Sequence, residues 1–324
     1  MNDHFIKNIE IKNFKCFENF SAEGFGRVNL IGGKNNVGKT AFMEACCTNI
    51  YTKNIDTLYT TLMYVTYVRE KLEYINKLFS LKDDIVFFEN IKNYSVKTNI
   101  NNIQYKLIDQ DGRKKEYKFN INKDESIISV DDFPYRRELT TSILFVDGKG
   151  FTNKHLKKIY IEVQRRDKEE LLNKYLNSFD SSIEKFKIFN DSPECKTKDK
   201  KDYLRLSEFG DGLRNYISII SALYACSDSY VFIDEIENGI HYTNLDKLWE
   251  IILTISKQQN VQLFATTHSK ECIESYARVA KRLKDEEIAM ITMARNPKNK
   301  LKALVWNQKQ FLSELEQNHE VRGW

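Results

Sequence analysis

The sequence contains no stretch approaching eighteen consecutive apolar residues, and its polar, charged start MNDHFIKNIEIKNF has no short apolar segment of the signal-peptide kind. A transmembrane or exported protein is not expected; a cytoplasmic one with no membrane partner is. The six cysteines are scattered or adjacent, as at Cys46 and Cys47, and none stands in a C-x-x-C or C-x-x-H spacing. No zinc site starts from such spacing, and reduced, structural cysteines are expected. Charge of one sign is also lacking: 50 basic against 46 acidic residues leave +4, which neither demands nor excludes a nucleic-acid partner. No internal repeat is present. What the 324 residues do have is 41% apolar content, enough for a sizeable core in one large domain or two modest ones.

Along the chain, FIKNIEIKNF reads as two short strands followed by a turn region rich in Glu, Ser and Gly, then an apolar strand VNLI at 28–31. A glycine-rich stretch GGKNNVGK joins that strand to helical sequence at 40–50. Between about 51 and 203 the pattern changes to a helical segment near 67–81 and alternating runs YSVKTNI, IQYKLID and KEYKFNI separated by turn residues. That is the pattern of an inserted β-rich subdomain. After the apolar run SILFV come lysine- and leucine-rich sequence, read as helical to about Ile188, and NDSPECKTKDKKD, read as an exposed linker. Beyond it a helix at 212–226, a strand at 230–233, a helix near 242–258, a strand at 261–266 and a helix from Lys270 alternate as in a parallel α/β sheet. EIAMITMAR and KLKALVW read as closing strands and 308–316 as a helix. The division is therefore a core of 1–50 and 203–324 interrupted by an inserted β-rich and helical subdomain at 51–202.

The string G-x-x-x-x-G-K-T, at 33–40, carries chemistry at each position. Glycines let backbone N–H groups wrap around phosphates, and the following helix adds its positive N-terminal end. The candidates to hold ATP are Gly33, Lys34, Asn35, Asn36, Val37, Gly38, Lys39, Thr40 and Ala41, with Lys39 reaching the β and γ phosphates and Thr40 offering its hydroxyl to Mg²⁺. At average residue usage a chance match in a chain this long is of order one in a hundred. The apolar run VFI ends in Asp234 and Glu235, delivering carboxylates to the C-terminal edge of a parallel sheet, where Asp234 can hold Mg²⁺ and Glu235 polarise the attacking water. VQLFATTHS ends the neighbouring strand with His268, whose ring can face the γ phosphate or that water. In LSEFGDGLRN, Gly210 and Gly212 open a helix; the local string reads as a capping turn, and the two glycines can also present N–H groups to an anion.

These elements in this order resemble the ABC-type ATPase family, in the branch that includes RecF, SMC proteins and the OLD (overcoming lysogenization defect) ATPases. IKNIEIKNFKCF followed by VNLIGGKNNVGKTAFMEA is especially similar to that branch. The resemblance implies a P-loop NTPase of α/β class with a mostly parallel sheet, in which GKNNVGKT is Walker A, LSEFGDGLRN the signature region, VFIDE Walker B, EIENGIH the D-loop and ATTHS the switch-histidine segment. It covers about 1–50 and 203–285, and the insert only in general character. It further implies an ATP sandwich between two subunits, hence a homodimer or higher homo-oligomer, with Ser207, Gly210 and Gly212 touching the partner's nucleotide. Family members place a serine two residues before the second glycine; Gly210 stands there, and Ser207 lies upstream. The family's glutamine lid loop has no recognisable counterpart in the insert.

The insert is too short and too β-rich for SMC coiled-coil arms. OLD proteins continue into a Toprim nuclease domain, whereas this sequence ends at HEVRGW, so any Toprim-type or other nuclease is expected on a separate chain. The leading functional expectation is an OLD-like ATPase that senses or scaffolds and controls such an effector, in antiphage defence or a toxin–antitoxin arrangement; the alternative is a RecF-like DNA-binding repair or recombination ATPase. A transporter subunit fits the N-terminal and signature patterns poorly. Nuclease carboxylates at Asp83, Asp84, Asp131 and Asp132 lack any metal-ligand pattern and read as turns.

Overall fold

The computed structural model describes residues 4–51, 61, 65, 102–108, 114–121, 128–129, 144–317 and 319–321. The acidic residues 83, 84, 131 and 132, the segment 67–81 and the run at 94–100 lie outside them. In chain order, β1 (Asn8–Phe14) and β2 (Phe17–Glu23) form an antiparallel hairpin, and β3 (Val28–Gly33) leads into α1 (Lys39–Tyr51). The next strands, β4 (Asn102–Ile108), β5 (Lys114–Ile121) and β6 (Ile128–Ser129), make a separate antiparallel sheet. Then follow β7 (Leu144–Val146), α2 (Asn153–Arg165), α3 (Glu169–Phe179), β8 (Ile183–Phe189), β9 (Ser192–Thr197) and β10 (Tyr203–Arg205). The chain continues through α4 (Asp211–Ala225), β11 (Tyr230–Ile233), α5 (Leu245–Gln258), β12 (Gln262–Thr266), α6 (Lys270–Leu283), β13 (Ile288–Arg295), β14 (Leu301–Asn307) and α7 (Gln308–Glu316).

Six of these strands build the central sheet in the order β14-β13-β3-β12-β11-β7, parallel except for β14. Every residue of β3 and β12 is buried, as continuous apolar strands covered on both faces must be. Alternation sorts the side chains between two cores. Val28, Leu30, Val231, Ile233, Leu263 and Met290 pack under the helical layer, including Tyr216 and Ile220 of α4, Trp249 of α5 and Tyr276 of α6. Ile31, Phe145, Phe232, Phe264 and Ile291 pack on the other face with Phe42 of α1 and Phe17 and Phe20 of the hairpin. On that face Phe145, Phe232 and Phe264 stack as a row across β7, β11 and β12, with centroids 6.0 and 5.7 Å apart. This aromatic ladder fixes the register of the strands whose ends carry the site.

Three readings of the sequence are corrected. The Glu- and Ser-rich stretch after Phe14 is strand β2 and not a turn; Lys15, at φ 50°, reverses the chain and FENFSAE pairs back on β1. The segment at 183–189 is a strand and not helix. A register irregularity between Ile183 and Lys185 leaves Ile183 and Phe186 both buried at a three-residue spacing, which mimics helical periodicity. The expected linker contains β9, which pairs with both β8 and β10 and buries Pro193, Cys195 and Thr197 at a period of two. Its first two residues, Asn190 and Asp191, turn the chain between β8 and β9, and its lysine- and aspartate-rich tail leads to β10 outside any strand.

The strand β7, which falls inside the interval 51–202, pairs in parallel with β11 at the edge of the central sheet. At the opposite ends of the strands lies a buried ion pair. Arg27 is 3% exposed and donates to Asp285 (5% exposed) and to Ser256, with Glu287 accepting at 3.2 Å. Removing one partner of a buried pair strands the other. Arg27→Met is therefore expected to lower the unfolding free energy by about 3–5 kcal/mol, and adding Asp285→Asn should return part of it; urea denaturation of the single and double variants measures both.

Candidate functional site

Because β3, β12, β11 and β7 run parallel and in register, with Ile233 beside both Ala265 and Val146, their carboxyl ends open on one edge. Ligands bind at that edge in open α/β sheets. It gathers the loop after β3, Asp234 and Glu235 after β11, Thr266 to His268 after β12, and Asp147 after β7.

The loop after β3 needs its glycine at 38, where φ is +81° and a Cβ would lie 2.5 Å from Cys16 Sγ. Lys39, 6% exposed at the first turn of α1, donates from Nζ to the carbonyls of Gly33 and Lys34, both at 2.9 Å. The ammonium is thereby folded back over its own loop. Burial draws its pKa below the ordinary lysine value, opposed by the negative charges of Asp234, Glu235 and Glu237. The Thr40 hydroxyl lies 3.1 and 3.2 Å from the two oxygens of the Asp234 carboxylate, which also accepts from the Thr266 hydroxyl. An alcohol and a carboxylate at this spacing are the oxygen donors a hard divalent cation takes, so the pair fits Mg²⁺. Beside it is a cavity of about 200 Å³ lined by Thr40, Asp147, Gly148, Asp234, Glu235 and Asn238, among others.

Glu235 sits in the left-handed region at φ 49°, where an L-residue is strained. Neighbours hold it there: its N–H donates to Thr266 Oγ1 at 2.8 Å, and its carbonyl accepts from Asn238 N at 2.9 Å. The His268 ring stands between the two charges, with Nδ1 3.2 Å from Lys39 Nζ and Nε2 3.7 Å from Glu235 Oε1. A lysine ammonium can only donate, so Nδ1 accepts and Nε2 carries the N–H that faces Glu235. The backbone N–H groups of His268 and Ser269 both donate to Glu237 Oε1, at 2.8 and 3.1 Å. Glu237 thus ties the segment after β11 to the segment after β12.

The structure therefore brings Lys39, Thr40, Asp234, Glu235 and His268 together. It does not bring Ser207, Gly210 or Gly212 to them: among the described residues, no hydrogen bond joins these three to the P-loop. Ser207 lies in a 3₁₀ turn (Leu206–Glu208), and Gly210 caps α4 with open space around it. Gly212 has a packing reason, since a Cβ there would fall 1.9 Å from the Gly239 carbonyl oxygen. Thr266, Glu237, Asp147 and Asn238 were not among the residues expected from sequence. Thr266 stood in plain view in the ATTHS motif. Asp147 could have been found only by recognising the three-residue strand before it as the neighbour of β11.

The fold is that of an α/β P-loop ATPase with a mostly parallel central sheet. The chain belongs to the AAA ATPase domain family, whose match spans residues 45–273, and it is an ATPase. An ATP/GTP phosphatase of Helicobacter pylori (strain ATCC 700392 / 26695) is 28% identical over 323 aligned residues, covering 83% of this chain and 86% of that protein. Among solved structures, the Smc head bound to the C-winged helix domain of ScpA aligns with 94% of this chain and 99% of its own at a TM-score of 0.50 and 11% identity. The Smc head domain with an extended coiled coil bound to the C-terminal domain of ScpA derived from Pyrococcus furiosus covers 97% and 99% at a TM-score of 0.49 and 11% identity. Among the described residues no helix is long and apolar enough to cross a membrane.

The strain at Glu235 has a measurable consequence. Glu235→Gly is expected to raise the unfolding free energy by about 1 kcal/mol, because glycine accepts a left-handed backbone, while ATP turnover is lost. Thermal unfolding monitored by circular dichroism reads the first effect, and a lowered midpoint would show that the backbone there is not strained.

Proposed function

We propose that the cluster of Lys39, Thr40, Asp234, Glu235 and His268 is a complete hydrolytic half-site for Mg²⁺–ATP, and that the protein uses it as a nucleotide-driven switch. The observation that carries this is the hydrogen-bonded cluster of Thr40, Asp234, Thr266 and the Glu235 N–H at the mouth of the P-loop. The residues 33–41 cradle the phosphates, and Lys39 swings from its loop carbonyls to the β and γ oxygens. Thr40 and Asp234 would hold the metal, which when bound would neutralise charge on the phosphates. Glu235 accepts a proton from the attacking water, and His268, whose Nε2–H faces Glu235, stands beside that carboxylate where the water would be held.

Ser207, Gly210 and Gly212 stand apart from this cluster in their own subunit, which supports the reading that they serve a nucleotide held by a second copy. The functional unit is then a symmetric ATP sandwich, a homodimer or higher homo-oligomer. The core is 1–50 and 203–324, and the interval 51–202 interrupts it while lending β7 back to the sheet. Within the family we place the chain in the OLD/RecF-like branch, as a cytoplasmic subunit that signals nucleotide state to a separately encoded effector such as a Toprim-type or other nuclease, in antiphage defence. The protein partner carried by the Smc head in its solved complex supports effector binding on this fold.

The test is a pair of variants. Lys39→Ala is expected to abolish ATP binding, and Glu235→Gln to bind ATP yet turn over at least about a hundredfold more slowly. Solution mass of Glu235→Gln by light scattering should rise to a dimer or larger on adding ATP and Mg²⁺. Normal nucleotide affinity in Lys39→Ala would remove the P-loop assignment, and a monomer that stays monomeric with bound ATP would remove the sandwich.

A further inference from the structure

The general base proposed above is an exposed side chain on a strained backbone, so something must aim it. We propose that Asn238 is the positioning residue for Glu235, acting through the turn at 147–150; this rests on the reading of Glu235 as the residue that polarises water. The Asn238 side-chain amide donates to the Gly148 carbonyl at 2.7 Å. That bond presses the turn against Glu235 so closely that a methyl group on Gly148 would lie 3.0 Å from Glu235 Oε2, 3.2 Å from its Cβ and 3.1 Å from Asn238 Nδ2. Such contacts are tighter than ordinary packing tolerates. Asn238 N also closes the turn on the Glu235 carbonyl at 2.9 Å. One residue thus fixes the glutamate from the backbone side and from the side-chain side.

The same residue and the same turn reach the signature helix. The Asn238 carbonyl accepts from Asn215 Nδ2 of α4 at 3.1 Å. At the far end of the turn, Phe151 N donates to Ser218 Oγ of α4 at 2.9 Å, and Arg214 Nη1 donates back to the Phe151 carbonyl at 3.1 Å. Gly212 meets Gly239, the residue after Asn238, backbone to backbone. The start of α4, the turn after β7 and the loop after β11 therefore form one hydrogen-bonded unit with Glu235 in its middle.

Two variants test this without adding charge. Asn238→Leu keeps the side chain's size and removes the donor. Gly148→Ala pushes on Glu235 from the opposite side; the backbone of Gly148 lies outside the left-handed region, so alanine is tolerated there conformationally. Each is expected to lower kcat for ATP hydrolysis by about tenfold, since a shift of tenths of an ångström is smaller than the ångström-scale misplacement that costs about a hundredfold. The KM for ATP should stay within about twofold, because the phosphate-holding residues are untouched. The double variant should be little worse than either single one, since both act on one carboxylate. Turnover within about twofold of wild type in Asn238→Leu, equal losses in kcat and ATP affinity, or additive losses in the double variant would each overturn the proposal. The outcome separates from that of the underlying assignment. If Glu235→Gln is slow but Asn238→Leu is not, only the positioning role falls; if Glu235→Gln turns over normally, the assignment falls with it.

Discussion

One hydroxyl group joins the two halves of the hydrolytic edge. Thr266, the last residue of β12, donates to the Asp234 carboxylate and accepts from the Glu235 N–H at 2.8 Å. Its carbonyl accepts from Ile236 N at 3.0 Å, while the next residue, Thr267, donates from its backbone to Ile31 at the end of β3. A single side chain, itself 1% exposed, therefore bridges the Asp234 carboxylate and the backbone of the strained glutamate, while the backbone of the next residue ties β12 to the strand before the P-loop. It can do so only because β12 lies between β3 and β11. The phenylalanine ladder below keeps β12 and β11 from slipping past each other, and a slip of one residue would send Thr266 to the other face.

From this constraint the electrostatics follow. Three acids, Asp234, Glu235 and Glu237, surround one buried ammonium, Lys39, whose burial alone would favour its neutral form. The acids supply the compensation, and His268 stands between the ammonium and Glu235 with its tautomer dictated by both. The arrangement keeps Lys39 within reach of a phosphate while its own loop carbonyls hold it in place. The same acids extend into the loop that abuts α4, so the charges around Lys39 and the contacts that hold the start of α4 share a few residues.

Much of this was legible in the sequence, and the reasons are physical. Glycine at 38 and the lysine after it are required by the loop's backbone and by the phosphate, and strands buried on both faces announce themselves as apolar runs, as VFI and QLFAT do. The hairpin, β8 and β9 were misread for equally physical reasons. A register irregularity set Ile183 and Phe186 three residues apart, and Pro193 with its surrounding lysines disguised a strand that buries alternate residues. The hub at Thr266 was hidden because a hydroxyl next to a recognised histidine has no pattern of its own until strand order is known. Asn238 stood inside the EIENGIH segment singled out from sequence, but its contact with Gly148, like the place of Asp147, comes from β7 lying beside β11, a pairing between segments about ninety residues apart in the chain.

Strand register, fastened by the Thr266 hydroxyl, assembles this edge of the sheet. Steady-state ATP hydrolysis by Thr266→Val across a Mg²⁺ titration tests it most directly, since valine keeps the shape and removes the hydroxyl. The fold should be unchanged by circular dichroism, turnover lower by about 10- to 100-fold, the usual effect of losing a group that orients a metal-holding carboxylate, and the Mg²⁺ requirement shifted to higher concentration. Wild-type turnover with a wild-type Mg²⁺ dependence would contradict it.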